Sequence, residues 1–244
     1  MPDGQFTMVK PYNSGTPEWG SGEVSPRIGA YYYVFGGSIA TYKTCSATII
    51  LPSSINLKGT GRGRNAYISF GLRTGEGYGI DIGLQNLGED MNTPHGTGWR
   101  PVWFETYDHQ MHELEDFTAP ADAVKAFFKL TPNLSARNSV TMELIWYRSN
   151  GDTVNHTYPI PLSRAYTWTK FYRFASMPAN APSATMNDST FMIGGEFVDA
   201  KVGSANWGIG TGQVEKAWIF SHPKCQFPDG YWDTGEQFRI DHWA

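Results

Sequence analysis

The chain has 244 residues with a net charge of -4, from 19 basic and 23 acidic side chains; 40% of it is hydrophobic and only 17% charged. Such a composition supplies a core and excludes a disordered chain, and the absence of a basic track argues against a nucleic-acid partner. No apolar run approaches the roughly 18 residues that a spanning helix needs, and the opening MPDGQFTMVK lacks the blocks of a signal peptide.

In chain order, residues 1–28 are rich in Gly, Pro and aromatics and read as an extended arm. Short apolar and aromatic runs bounded by turn residues follow, and predict strands at Ala30–Phe35, Thr44–Ile50, Ala66–Arg73, Gly79–Gln85, Arg100–Tyr107 and Val124–Thr131. Further strands are expected at Ser139–Arg148, Thr153–Ile160, Thr167–Ala175, Phe191–Val198 and Gln213–Phe220, with 225–244 as a second arm. Helical periodicity is nearly absent; Ala119–Phe128, with Pro120 and Asp122 at its start, is where a helical turn is expected. That many strands cannot lie in one flat sheet, so the expected fold class is all-β: one domain over 1–244, a two-sheet antiparallel β-sandwich of the jelly-roll kind.

Cys45 and Cys225 lie near opposite ends of this domain. A bridge between them would close a loop worth about 5 kcal/mol, and two reduced thiols are the alternative. Sequons at Asn133, Asn155 and Asn187 suit a secreted eukaryotic protein, and an extracellular location is the expectation.

Successive strand residues point to opposite faces, so alternation sorts core from surface. In Gly79–Gln85, Ile80, Ile82 and Leu84 form an apolar row and leave Asp81, Gly83 and Gln85 on the other side. In Tyr67–Arg73, Ile68, Phe70 and Leu72 are expected inward, with Tyr67, Ser69 and Gly71 outward. In Arg100–Tyr107, Val102 and Phe104 are expected in the core, with Trp103, Glu105 and Tyr107 outward. Were these strands neighbours, one open face would display Ser69, Asp81, Gln85, Trp103, Glu105 and Tyr107. Flat rings beside amide and carboxylate groups suit a glycan, and a carbohydrate-binding protein without covalent chemistry is the leading expectation.

The segment ISFGLRTGEGYGIDIGLQNLG followed by GWRPVWFETY resembles the central strands of concanavalin A-like lectin and glucanase sandwiches. Within that superfamily, Leu84–Gln85–Asn86–Leu87–Gly88 resembles the strand that carries the catalytic glutamine of glutamic peptidases, which implies such a role for Gln85. That family's partner glutamate has no match here: YTWTKFYRFAS offers Tyr172 and Arg173 and no carboxylate, leaving Glu143 or Glu196 as substitutes.

A sandwich-fold enzyme is therefore the alternative, whether such a peptidase, a glycoside hydrolase or a polysaccharide lyase. A hydrolase would draw on Glu113 and Glu115 of HELEDF, with Asp116 out of phase. A lyase would draw on Tyr107, Gln85 and Arg73. A structural or assembly protein is a third class. No cofactor is expected; calcium could be held by the acidic turns Gly88–Asn92 and Asn187–Ser189, and His109 and His112 read as a solvated turn rather than a metal site.

Overall fold

The computed structural model describes residues 29–52, 57–58, 66–86, 98–107, 110–178, 191–208, 211, 213–220, 230–232 and 234–241. Its strands are β1 (Gly29–Ser38), β2 (Cys45–Ile50), β3 (Leu57–Lys58), β4 (Ala66–Thr74), β5 (Gly79–Asn86), β6 (Trp99–Glu105), β7 (Gln110–Glu113) and β8 (Ala123–Pro132). They continue as β9 (Ser139–Arg148), β10 (Thr153–Pro161), β11 (Trp168–Pro178), β12 (Phe191–Val202), β13 (Ala205–Asn206), β14 (Val214–Phe220), β15 (Gly230–Trp232) and β16 (Gly235–Asp241). One sheet runs β14-β1-β11-β4-β5-β6-β7 and the other β10-β9-β8-β2-β12-β16-β15, with β3 and β13 also paired to β12. The protein is a two-sheet antiparallel β-sandwich, as expected.

Period-two patterning drives this packing. In β8 and β9, Ala126, Phe128 and Leu130 and then Val140, Met142, Leu144 and Trp146 are buried, while Lys125, Lys129 and Glu143 between them are partly exposed. Burying one large apolar side chain is worth about 1.5–3 kcal/mol, so rows of this kind hold the sheets together. Phe70 of the seven-stranded sheet meets Phe128 and Phe197 of its partner, with ring centroids 5.7 and 5.5 Å apart.

A charged strut crosses the same core. Arg173 on β11 donates from Nε and Nη2 to the two carboxylate oxygens of Glu236 on β16, at 2.8 and 2.5 Å, and both side chains are fully buried. The guanidinium lies over the Trp207 ring at 4.5 Å. Burial pushes the Glu236 carboxyl up, and Arg173 pulls it back. On the side where β6 and β7 face β10, stacked rings close the sandwich: Trp103 on His112 at 4.5 Å, and Phe117 on His156 at 4.4 Å.

Two local expectations change, and one open alternative is narrowed. Ala119–Phe128 is not helical; its alternation wins and most of it enters β8, and a 3-10 turn lies just before it at Glu115–Phe117. The stretch 225–244 supplies β15 and β16, and β16 pairs with β12 along most of its length. Cys45 is a buried free thiol, raised in pKa by that burial. Cys225, the arm 1–28, the turns Gly88–Asn92 and Asn187–Ser189, and His109 lie outside the described residues. Among the described residues, no helix is long and apolar enough to cross a membrane, and no His, Cys, Asp and Glu cluster is arranged to hold a metal.

Candidate functional site

Strands β4 and β5 are buried along nearly their whole length, because the seven-stranded sheet carries a second aromatic layer on its outer face. That layer contains Tyr33, Phe35, Tyr67, Val102, Tyr172 and Phe174, apart from the inter-sheet core. Cross-strand register builds the polar positions among them. One row runs Phe104, Asp81, Gly71, Tyr172 and Phe35; another runs Arg100, Gln85, Tyr67 and Ser176.

In the first row, Tyr172 lies flat across β4 and donates its hydroxyl to Asp81 on β5. Only a glycine permits this crossing, since a Cβ on Gly71 would stand 2.2 Å from the tyrosine ring and 2.6 Å from the Ile80 carbonyl. Burial pushes the Asp81 carboxyl from 3.8 up to about 6, against the lowering pull of the Tyr172 hydroxyl and of Arg73. The Arg73 guanidinium sits over the Phe35 and Tyr172 rings at 5.2 and 5.6 Å. Burial likewise raises the Tyr172 phenol, with the Asp81 charge next in effect.

In the second row, Gln85 donates from Nε2 to the Tyr67 hydroxyl at 2.6 Å, and its Oε1 is buried with no hydrogen-bond partner. Its cross-strand neighbour Arg100 spends Nη2 on Glu113 at 2.5 Å, while its Nε is also buried and unpaired. Neighbouring strands thus carry, at paired positions, an acceptor and a donor that are both unspent among the described residues. No carboxylate hydrogen-bonds Gln85 among the described residues. Asp81 is two same-face positions away on the strand, roughly 13 Å at the backbone.

The expected outward rows of β4 and β5 are present: Ser69, Asp81 and Gln85 share the outer face with Tyr67 and Gly71. The expected row of β6 is reversed. Trp103 pairs with Ile82 and Glu105 with Ile80, so both point toward the other sheet, while Val102 and Phe104 point outward. Both rows of RPVWFET contain apolar side chains, so hydrophobicity could not choose between them. Glu105 is tolerated inside because Ser163 donates to it from its backbone N–H at 3.0 Å and its hydroxyl at 2.5 Å, and Tyr166 donates its hydroxyl.

The six nominated residues therefore do not share one surface. Trp103 and Glu105 belong to the layer between the sheets, and Tyr107 stands 48% exposed in the turn after β6. The face is not open either, for Ser69 and Gln85 are 2% and 3% exposed. In HELEDF, Glu113 is taken by Arg100, and Glu115 and Asp116 lie on the surface. Glu143 is paired with Lys129 and Glu196 accepts from Gln237, both on the other sheet and away from Gln85.

No family model matches the sequence, and no curated protein matches it. Among solved structures, the chain is similar to SCP-B, a member of the eqolisin family of peptidases, in complex with the tripeptide Ala-Ile-His. The TM-score is 0.48 at 13% identity, covering 88% of this chain and 98% of that one.

The sequence points to Asp81 and Gln85 but not to Tyr67 as the hydrogen-bond partner of Gln85 or Arg100 as its cross-strand neighbour, and it offers Tyr172, the partner of Asp81, only as a position lacking a carboxylate. The glycines at 71 and 83 were a usable signal: in a buried strand, a glycine marks the path of a neighbour's side chain.

Proposed function

We propose that the outer face of the seven-stranded sheet is the site of a peptide hydrolase working at acid pH, with Asp81 as the proton-transferring group and Gln85 as a substrate-binding amide. The carrying observation is Asp81 itself, a carboxyl raised to about 6 and held by Tyr172 on the face where Gln85 keeps its Oε1 unspent. Hydrolysis adds a water across the scissile bond, its oxygen to the carbonyl carbon and a proton to the departing amine nitrogen; a carboxyl that retains its proton up to about pH 6 can give that proton and take one back from the attacking water.

Gln85 Oε1 and Arg100 Nε are buried, so a polypeptide reaches them only by displacing what covers that end of the row; they then supply an acceptor and a donor, the complement of its N–H and C=O. The spacing along β5 means that Asp81 and Gln85 engage successive parts of such a chain rather than one shared water. The resemblance of Leu84–Gly88 to the glutamine strand of glutamic peptidases implies a catalytic role for Gln85, whereas here its amide is assigned to substrate binding. The acid differs, being an aspartate on the same strand.

The test is release of α-amino groups from an unfolded protein substrate by the full chain between pH 3 and 8. Activity should fall as pH rises through about 6 and be lost in Asp81→Asn, with Gln85→Ala impaired. No cleavage anywhere in this range, or full activity in Asp81→Asn, rejects the reading.

A further inference from the structure

At one end of the seven-stranded sheet, three separate segments converge on an exposed cluster that the hydrolase site does not use. Tyr78 closes the turn between β4 and β5, Tyr107 follows β6, and Arg164 lies between β10 and β11. The two tyrosine rings meet edge to face, with centroids 5.7 Å apart at 70°, and are 38% and 48% exposed. The Arg164 guanidinium lies 4.7 Å from the Tyr107 ring centre, 6.0 Å from that of Tyr78 and 5.7 Å from that of Tyr166. It is exposed and makes no hydrogen bond or ion pair with any described residue, so its five N–H donors are uncommitted among them.

The cluster is held rigidly from below. Thr106 donates its backbone N–H and its hydroxyl to the Gly79 carbonyl at 3.0 and 2.9 Å, and accepts at that hydroxyl from the Gly79 N–H at 2.6 Å. These bonds tie the turn bearing Tyr107 to the turn bearing Tyr78. The buried Glu105 carboxylate collects Ser163 and Tyr166, the residues on either side of the Arg164–Ala165 pair, and so fixes the loop that presents the arginine. Tyr166 is itself stacked on Trp168 at 4.7 Å. Little ordering remains to be done on binding, which is what makes an exposed cluster effective.

We infer that Tyr78, Tyr107 and Arg164 form a binding site for a uronate-bearing saccharide. A guanidinium with its donors free takes a carboxylate in two parallel hydrogen bonds. Two exposed tyrosine faces at a steep angle offer flat surface for the C–H face of a pyranose ring and hydroxyls for its edge. An acidic peptide would satisfy the arginine and leave the ring faces unused. The inference is independent of the hydrolase reading, because none of the three residues lies in the Asp81 and Gln85 rows.

The experiment is titration calorimetry of the full chain with oligogalacturonate, neutral cello-oligosaccharides and poly-glutamate. Oligogalacturonate should bind, with affinity falling about tenfold in Arg164→Ala, less in Arg164→Lys, and several-fold in Tyr107→Ala. All three side chains are at the surface, so the thermal midpoint should be unchanged, and Asp81→Asn should bind as the parent does. Absence of oligogalacturonate binding, equal binding of the neutral oligosaccharides, equal binding of poly-glutamate, or indifference to Arg164→Ala would each overturn the inference.

Discussion

Replacing Asp81 by Asn probes the proposed site without requiring a substrate. In the folded chain the carboxyl titrates near 6 instead of 3.8, because burial disfavours its charge more than Tyr172 and Arg73 favour it. The native state therefore binds more protons than the unfolded chain between these values. The contribution of Asp81 is complete below pH 3.8 and is lost as pH rises through about 6. The full shift corresponds to about 3 kcal/mol, and solvent reaching the half-buried side chain reduces this to between about 1 and 3 kcal/mol. Asn keeps an oxygen for the Tyr172 hydroxyl but carries no charge. Urea unfolding of parent and variant at pH 4 and pH 7.5 gives the measurement, and the stability of Asp81→Asn relative to the parent should improve by that amount at the higher pH. Using the difference between proteins cancels the other titrating groups. A relative stability that is flat with pH, or that moves toward the parent, would show that Asp81 is solvated and that its proposed role has no physical basis.

Other perturbations separate the roles of neighbouring groups. Arg173→Met should cost about 3–5 kcal/mol by stranding the Glu236 charge, while Arg173→Met with Glu236→Leu recovers most of it, measured by denaturant unfolding. Gly71→Ala should destabilise by about 1–3 kcal/mol, since Tyr172 must leave its path across β4; nuclear magnetic resonance titration should then place the Asp81 carboxyl higher still, its Tyr172 hydrogen bond gone. Trp103→Ala should cost about 3–5 kcal/mol in a thermal or urea melt, because the indole is core rather than a ligand platform. Glu105→Gln should cost about 1–3 kcal/mol, as an amide cannot accept from Ser163 and Tyr166 at once without turning a donor toward one of them.

What was legible in the sequence follows from where its alternation is unambiguous. GIDIGLQ has every large apolar side chain in one row, so its faces, and with them Asp81 and Gln85, could be assigned without coordinates. The period-two runs of β8 and β9 mark their inward rows. The alternation of RPVWFET carries no such preference, and the choice fell to tertiary contacts: Trp103 found His112, and Glu105 found Ser163 and Tyr166.

Local pattern could not say which strands become neighbours. Tyr172 reaches Asp81 across 91 residues of chain, and Arg173 reaches Glu236 across 63. A strand's own residues set which way its side chains point, because the pleat is a property of the backbone. Which side chains meet is set by sheet order and register, which settle only when two distant strands bury their rows together.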